Sequence, residues 1–188
     1  MKIVFATSNK HKLKELQAIA AAQGIEDVEF ILPPEGFSVE ENGATFEENS
    51  LIKAKEVNRL TGMMSLADDS GLCVNALNGA PGLYSARYAD TPQERIDKLL
   101  KELEPYTDRS AKFVCAMTLL DENGAHTAVG ECHGQIAREP SGINGFGYDP
   151  VFIADNTGIT MAQMSEEEKN KISHRANAVK GLAEMLKR

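Results

Sequence analysis

The polar residues near the N-terminus have the composition of an anion-binding turn. Thr7-Ser8-Asn9 follow a short run of β-branched and aromatic residues, and Lys10-His11-Lys12 open a helical pattern. The N-terminus of a helix presents unpaired N–H groups and about half a positive charge, which favour an anion. Lysines in that first turn are unfavourable against the helix dipole unless an anion lies between them. A capped helix with solvated lysines is an equally good interpretation of this segment alone.

Two adjacent carboxylates, Asp68 and Asp69, follow the apolar run from Met63 to Ala67. Adjacent carboxylates repel each other unless a cation or a proton lies between them. In open α/β sheets, ligands bind beyond the carboxyl ends of the strands. Because successive residues of a strand point to opposite faces, we expect one of the two side chains to face a ligand site. The alternative is a solvated pair in a loop.

Lys53 falls on the face that should be buried in a helix predicted from Thr45 to about Leu60. Phe46 and Leu60 share its stripe at the angular spacing of an α-helix. An unpartnered buried lysine is costly, so its ammonium group either extends to solvent or points at a phosphate or a carboxylate. Asp69 is the partner that we expect.

Nearby glutamates are candidates to bind a divalent metal through their carboxylate oxygens. Glu48 lies about 140° from Lys53 around the predicted helix, which separates the two side chains. Glu40 and Glu41 belong to an acidic loop between Gly36 and Gly43 and are freer to reach a metal. The residues themselves do not decide among the three.

A glycine-rich segment, Gly145-Phe146-Gly147-Tyr148-Asp149, could contact a heterocyclic ligand. The glycines on both sides of Phe146 leave a ring face open for stacking, and Asp149 can accept hydrogen bonds from a ring N–H. A core aromatic residue in a tight loop is the alternative interpretation.

The segment before the last predicted helix carries Lys169 and the triplet Ser173-His174-Arg175. Ser173 is a suitable N-cap, which places His174 and Arg175 beside the exposed amide groups of the first helical turn. An arginine there can bind a phosphate or a carbonyl oxygen through two donors. Solvated surface charge on a terminal helix is the alternative.

The composition is that of a globular protein. Hydrophobic residues make up 42% of the 188 residues, and the longest apolar runs are far too short for a membrane span. The formal charge of −8 argues against a nucleic-acid partner, but it permits a small phosphate ester accompanied by a metal. Three cysteines without a CxxC motif, and no secretory signal, favour a reduced cytoplasmic setting.

The elements that must position these residues alternate between strand and helix, as in an α/β protein. A strand from Lys2 to Ala6, the polar turn and a helix from Lys10 to Ala22 form a βα unit. The Asn123-Gly124 step predicts a hairpin turn. We see no linker and no repeat, so one domain over residues 1–188 is predicted. The other predicted elements are strands Val28 to Leu32, Met63 to Ala67, Ala111 to Leu120 and Ala125 to Ile136, and helices Thr45 to Leu60, Thr91 to Leu103, from Ser165 and from about Ser173.

Taken in order, these segments strongly resemble the inosine/xanthosine triphosphate pyrophosphatase family. The resemblance runs from end to end, and six ordered blocks make it specific. The blocks are Thr7 to Lys12, Thr45 to Asn49 with Lys53-Ala54, Ala67 to Leu72, Ala76 to Arg87, Phe146 to Pro150 and Ser173 to Arg175.

The resemblance implies an elongated, two-lobed α/β fold around a central mixed sheet, a homodimer, and a substrate held in a cleft between the lobes. It implies that Thr7 to Lys12 hold the triphosphate and that Asp69 is both proton acceptor and Mg²⁺ ligand. A glutamate among Glu40, Glu41 and Glu48 completes the metal site, and Ser70 contacts the substrate. The residues implied to surround the base and the phosphates are Phe146, Gly147, Tyr148, Asp149, Lys169, His174 and Arg175.

The resulting hypothesis is the Mg²⁺-dependent cleavage of ITP, dITP or XTP to a monophosphate and pyrophosphate. Asp69 would orient or deprotonate a water that attacks the α-phosphorus, while Lys12 and Lys53 hold the charge of the leaving pyrophosphate. Arg175 or His174 could donate to the O6 atom of the purine. Two alternatives stay open: a pyrophosphatase for modified pyrimidine or 7-methylated nucleotides, and a nucleotide sensor that does not cleave.

Overall fold

The computed structural model of the chain describes residues 1–187 and contains a mixed six-stranded sheet flanked by helices. The strand order is β2-β1-β3-β4-β5-β6. β1 pairs in parallel with β2 and with β3, whereas β5 and β6 are antiparallel. The predicted α/β class is therefore confirmed. The strands are β1 (Lys2–Phe5), β2 (Glu29–Ile31), β3 (Ser65–Val74), β4 (Ser110–Asp121), β5 (Gly124–Ile136) and β6 (Phe152–Ala154).

The helices begin at the polar residues that predicted them. Thr45 accepts a hydrogen bond from the backbone N–H of Glu48, and Thr91 and Ser165 each form a capping box with the glutamate three residues on. In the part of the chain that the structure describes, no helix is long and apolar enough to cross a membrane. The helices are α1 (Lys10–Ala22), α2 (Phe46–Thr61), α3 (Pro92–Leu103), α4 (Glu166–Ile172) and α5 (His174–Leu186).

The chain divides into two compact units. Unit 1 consists of residues 1–69, 115–130 and 174 onward, and unit 2 consists of residues 70–114 and 131–173. Three strands, β3, β4 and β5, contribute residues to both units. The single domain expected from the sequence stays a prediction.

In unit 1, the strands β1 and β3 are buried on both faces, which sets the direction of every side chain they carry. Ile3 and Phe5 pack in a cluster with α1 and α5, whereas Val4 and Ala6 pack in a second cluster with α2. On β3, Leu66 belongs to the first cluster and Ala67 to the second. Because side chains alternate along a strand, Asp68 points toward α1 and α5, and Asp69 points toward α2.

The strand predicted from Met63 to Ala67 is wrong in its end point. β3 begins at Ser65 and continues through the two aspartates to Val74. Aspartate and glycine are poor strand formers, so local propensity places the end too early. The hydrophobic residues Leu72 and Val74 are fully buried in unit 2 and continue the strand.

The hairpin predicted at Asn123-Gly124 is confirmed, since β4 ends at Asp121 and β5 begins at Gly124. In unit 2, the core forms around Phe113 and Phe152, whose ring centroids lie 4.4 Å apart. This core supports the short strand β6 and the turn that precedes it.

Candidate active site

Asp68 carries the most heavily paired carboxylate among the candidate residues. Its side chain is 1% exposed. Lys12 Nζ lies 3.3 Å from Oδ1, and Arg175 donates to Oδ2 from Nε at 3.1 Å and from Nη2 at 2.7 Å. Burial opposes the charged form, but Lys12, Arg175 and Lys53 together hold the pKa of Asp68 well below its usual range. Asp68 is therefore a fixed negative charge.

Arg175 is buried with Asp68 rather than exposed at a helix N-terminus. Its guanidinium group is 1% exposed and also donates from Nη1 to Glu15. Although burial lowers the pKa of the guanidinium group, Asp68 and Glu15 raise it above its usual value. A contact of Arg175 with a base stays a prediction. Glu15 was not among the sequence candidates, although it lies one helical turn after Lys12.

Asp69 points to the other side of β3 and meets Lys53, as expected from the sequence. Lys53 Nζ lies 3.9 Å from Asp69 Oδ1 and also forms an ion pair with Glu41. The side chain of Lys53 is 13% exposed and that of Asp69 is 16% exposed. Burial raises the pKa of Asp69, opposed by Lys53 and by a hydrogen bond from Asn49.

The charge of Lys53 is stabilised despite its burial. Burial alone would lower its pKa, but the carboxylates of Asp68, Asp69 and Glu41 raise it above the usual value.

The predicted apolar stripe on α2 is correct only in part, because Leu60 is 48% exposed. Lys53 therefore belongs to a polar cluster rather than to the apolar core.

The structure separates the three candidate glutamates. Glu41 contacts Lys53. Glu48 Oε2 instead accepts a hydrogen bond from the backbone N–H of Ala44 at 2.6 Å. Glu40 is exposed. Of the three, Glu41 is the one that the structure brings to Lys53 and Asp69.

The turn before α1 has the geometry of a capped helix start. Asn9 Oδ1 accepts from the backbone N–H groups of His11 at 2.9 Å and Lys12 at 3.4 Å, and Thr7 Oγ1 accepts from the N–H of Asn9 at 3.1 Å. Ser8, Lys10 and His11 are exposed. An open cavity of about 490 Å³ is lined by Thr7, Ser8, Lys10 and residues 32–37.

The parallel register places this turn beside the aspartates. Phe5 of β1 is level with Leu66 of β3. Thr7 and Asp68 each follow two residues later, so both lie at the same end of the paired strands. Lys12 reaches Asp68 from this turn. The side chain of Asp69, however, points to the opposite face of the strand from the one that Lys12 contacts.

In unit 2, Asp149 and Lys169 form a buried ion pair. Lys169 Nζ lies 2.7 Å from Asp149 Oδ2, and the two side chains are 8% and 4% exposed. The backbone N–H of Phe146 donates to the same oxygen at 3.1 Å, and Lys169 Nζ lies 4.7 Å from the centroid of the Phe146 ring. Gly145 permits this turn, because a Cβ there would lie 2.1 Å from Asp149 Oδ2. The structure thus brings three predicted ligand residues together.

Tyr148 is anchored through its hydroxyl group. It donates to the carbonyl oxygen of Ser85 at 2.7 Å, and its residue is 6% exposed. Burial raises the pKa of Tyr148 to about 12. Ser85 Oγ in turn accepts from the backbone N–H of Leu72, two residues after Ser70. Gly147 adopts a φ of 62°, a conformation that favours glycine.

His174 is the first residue of α5 and is 7% exposed. Its backbone lies directly against β5, because a Cβ on Gly130 would be 2.1 Å from the carbonyl oxygen of His174. The close approach at Gly130 therefore fixes the first turn of α5, which carries Arg175.

The donor chemistry of the unit 1 cluster fits a magnesium ion. Mg²⁺ binds oxygen donors and is commonly held by one or two carboxylates together with substrate phosphates. Asp69 and Glu41 provide two carboxylates that share Lys53 as a neighbour. Within residues 1–187, no three His, Cys, Asp or Glu side chains group to hold a metal by themselves.

Comparison with known proteins finds full-length relatives. The model of the Ham1 family matches residues 3–185. A dITP/XTP pyrophosphatase of Prochlorococcus marinus is 46% identical over 98% of this chain and 93% of the relative. One from Bacillus licheniformis is 46% identical over 98% of this chain and 97% of the relative. The solved structure of a HAM1 protein from Coxiella burnetii is 43% identical, with a TM-score of 0.89 over 99% of this chain and 98% of that one.

Proposed function

Because the chain belongs to the Ham1 family, we propose that it hydrolyses non-standard purine nucleoside triphosphates such as ITP, dITP and XTP to the monophosphate and pyrophosphate. Its relatives named dITP/XTP pyrophosphatase cover nearly the whole chain. Removal of these nucleotides would keep deaminated purines out of DNA and RNA.

The observation that carries the proposal is the different surroundings of the two adjacent aspartates. Asp68 is buried and bound by two cationic side chains, so it holds its charge permanently. Asp69 is partly exposed, and burial raises its pKa, which makes it the better proton acceptor of the two. A strand that carries one structural and one reactive carboxylate side by side fits a hydrolase better than a passive nucleotide sensor.

We assign the proton transfer to Asp69. Its carboxylate would take the proton of a water molecule as that water attacks the α-phosphorus. Lys53 lies beside Asp69 and Glu41, where its positive charge can stabilise the negative charge that develops on the phosphates. Lys12, tethered by Asp68, would hold the leaving pyrophosphate together with the exposed polar side chains of the Thr7 to Lys12 turn.

Asp69 and Glu41 are the residues that we propose to hold Mg²⁺. When bound, this ion neutralises phosphate charge and stabilises the leaving group. Glu40 and Glu48 stay weaker candidates, since Glu48 is engaged by Ala44 and Lys53 is paired with Glu41.

Recognition of the base and the sugar is proposed for the remaining predicted residues. The Phe146 ring, with Lys169 beneath it, offers a stacking surface. The buried pair of Asp149 and Lys169 would fix this surface in place. The full set proposed to contact substrate is Thr7, Ser8, Asn9, Lys10, His11, Lys12, Ser70, Phe146, Gly147, Tyr148, Asp149, Lys169, His174 and Arg175.

We further propose that residues 1–188 act as a single catalytic domain, that the chain forms a homodimer, and that it works in the cytoplasm. Light scattering coupled to size exclusion measures the oligomeric state. Differential scanning calorimetry tests the domain, since a single domain unfolds in one cooperative transition.

The decisive test of the activity is a product assay on ITP with and without Mg²⁺. We expect pyrophosphate and IMP in equal amounts, with release abolished by EDTA and restored by added Mg²⁺. Release of orthophosphate would instead indicate a phosphatase, and binding without cleavage would indicate a sensor. Preference for dUTP or 7-methylated nucleotides over ITP and XTP would identify the alternative pyrophosphatase.

A further inference from the structure

Asn49 connects the loop that carries Glu41 to the carboxylate of Asp69. Asn49 is 4% exposed and lies on α2, one turn before Lys53. Its Oδ1 accepts a hydrogen bond from the backbone N–H of Gly43 at 2.8 Å. Its side chain also hydrogen-bonds to Asp69. One amide group therefore contacts both segments that bear the proposed metal-binding carboxylates.

The two partners of Asn49 require opposite hydrogen-bonding groups. The backbone N–H of Gly43 is a donor and must meet an oxygen, whereas the carboxylate of Asp69 is an acceptor and must meet an N–H group. A primary amide supplies both. An aspartate of the same shape would present an acceptor to Asp69, and a leucine would supply neither group.

The backbone of Gly43 lies so close to Asn49 that a larger residue would not fit there. A Cβ on residue 43 would lie 2.6 Å from Asn49 Oδ1 and 2.7 Å from the Cβ of Glu48. Side chains other than hydrogen are therefore excluded at residue 43 unless the loop moves. Glu41 lies two residues before Gly43, so a shift of this loop displaces Glu41 as well.

We propose that Asn49 is a positioning residue that holds Glu41 and Asp69 at the separation needed to share one divalent cation. This inference rests on the proposed function for the identity of the two ligands. Asn49 itself contacts neither the metal nor the substrate in this role. Residues that orient metal ligands typically affect metal affinity by about 10- to 100-fold when replaced.

The test uses Asn49→Leu, which keeps the approximate size of the side chain and removes both hydrogen bonds. The probe is Mn²⁺, titrated by electron paramagnetic resonance in the presence of the non-hydrolysable analogue α,β-methylene-ITP. We expect the affinity for Mn²⁺ to fall by about tenfold or more. The Mg²⁺ concentration for half-maximal activity should rise in parallel, while KM for ITP at saturating Mg²⁺ changes far less.

The matched control is Ser50→Ala, at the next residue of the same helix. Ser50 is fully buried, and its hydroxyl lies 2.6 Å from that of Thr118. This variant removes a buried hydrogen bond of unit 1 without touching Gly43 or Asp69. It should lose stability and keep the Mn²⁺ affinity of the wild type, which separates positioning from a general loss of stability.

A second variant, Gly43→Ala, disturbs the same contact from the loop side and covers the case in which Asn49→Leu does not fold. It should also weaken Mn²⁺ binding. Wild-type affinity in a folded sample of either variant would overturn the role of Asn49. Absence of pyrophosphate release by the wild-type protein would count against the proposed function instead, and Mn²⁺ binding would still report on Asn49.

Discussion

Arg175 donates two hydrogen bonds to one carboxylate oxygen of Asp68, from Nε at 3.1 Å and from Nη2 at 2.7 Å. Lys12 Nζ donates to the other oxygen at 3.3 Å and to the shared oxygen at 3.4 Å. All three residues belong to unit 1, and they connect the first turn of α5 to the first turn of α1 through β3. Asp68 is thus held in place as a buried charge, and Asp69 is the member of the pair that we propose to be reactive.

Replacement of Asp68 by asparagine should destabilise the protein strongly. The change leaves the buried guanidinium group of Arg175 without its main counter-charge, and breaking a buried ion pair from one side typically costs about 3–5 kcal/mol. Urea unfolding at pH 7 measures the loss. Glu47→Gln, an exposed change on α2, is the control and should stay near the wild-type value.

The ion pair of Asp68 with Arg175 also predicts how the free energy of unfolding depends on pH. The pKa of Asp68 in the folded protein is well below its unfolded value of about 3.9. A depressed carboxyl pKa stabilises the folded state above the unfolded pKa, and this contribution is lost as the pH falls below it. The free energy of unfolding should therefore drop between pH 5 and pH 2.5 (roughly the window set by the unfolded pKa). Asp68→Asn should show a shallower decline, and an equal slope in both proteins would contradict the assignment.

At saturating Mg²⁺, Asp69→Asn should abolish turnover while leaving nucleotide binding intact. Asparagine keeps the shape and cannot accept the proton, so we expect kcat to fall by about 100-fold or more. Calorimetric binding of α,β-methylene-ITP should stay within a few-fold of the wild-type value. Near-normal pyrophosphate release by this variant would remove Asp69 from the mechanism.

Glu41→Gln should raise the Mg²⁺ requirement more than Glu40→Gln or Glu48→Gln does. Glu41 is the glutamate that contacts Lys53 beside Asp69, whereas Glu48 is held by Ala44. Loss of one of the two proposed carboxylate ligands should raise the half-maximal Mg²⁺ concentration by about tenfold. A larger effect from Glu40 or Glu48 would reassign the metal ligand.

Tyr148→Phe separates an anchoring role from a direct substrate contact. The hydroxyl group is engaged by the carbonyl oxygen of Ser85 in a buried position. Its removal should cost about 0.5–1.5 kcal/mol of unfolding free energy and change KM for ITP little. A tenfold rise in KM without loss of stability would instead place the hydroxyl group on the substrate.

Much of the fold could be predicted from local sequence signals. Helix starts at Thr45, Thr91 and Ser165 follow from N-cap chemistry, and the hairpin follows from Asn123-Gly124, because these signals act over three or four residues. The end of β3 could not be predicted in the same way. Asp68 and Asp69 stay in the strand through Lys12, Arg175 and Lys53, which come from distant parts of the chain.

In the candidate site, too, some contacts could be predicted from the sequence and others could not. The pairing of Lys53 with Asp69 could be inferred, because a lysine on a buried helix face needs a counter-charge. Glu15 and Asn49 were missed as members of the polar clusters. Each lies one helical turn from a predicted lysine, Glu15 after Lys12 and Asn49 before Lys53. Helical spacing was therefore the available signal, but their partners, Arg175 and Gly43, depend on tertiary contacts.

Hydrolysis of ITP in H₂¹⁸O tests the central claim most directly. If water attacks the α-phosphorus, as we propose for the water activated by Asp69, mass spectrometry should find one ¹⁸O atom in IMP and none in pyrophosphate. Label in pyrophosphate would show attack at the β-phosphorus and would contradict the proposed mechanism.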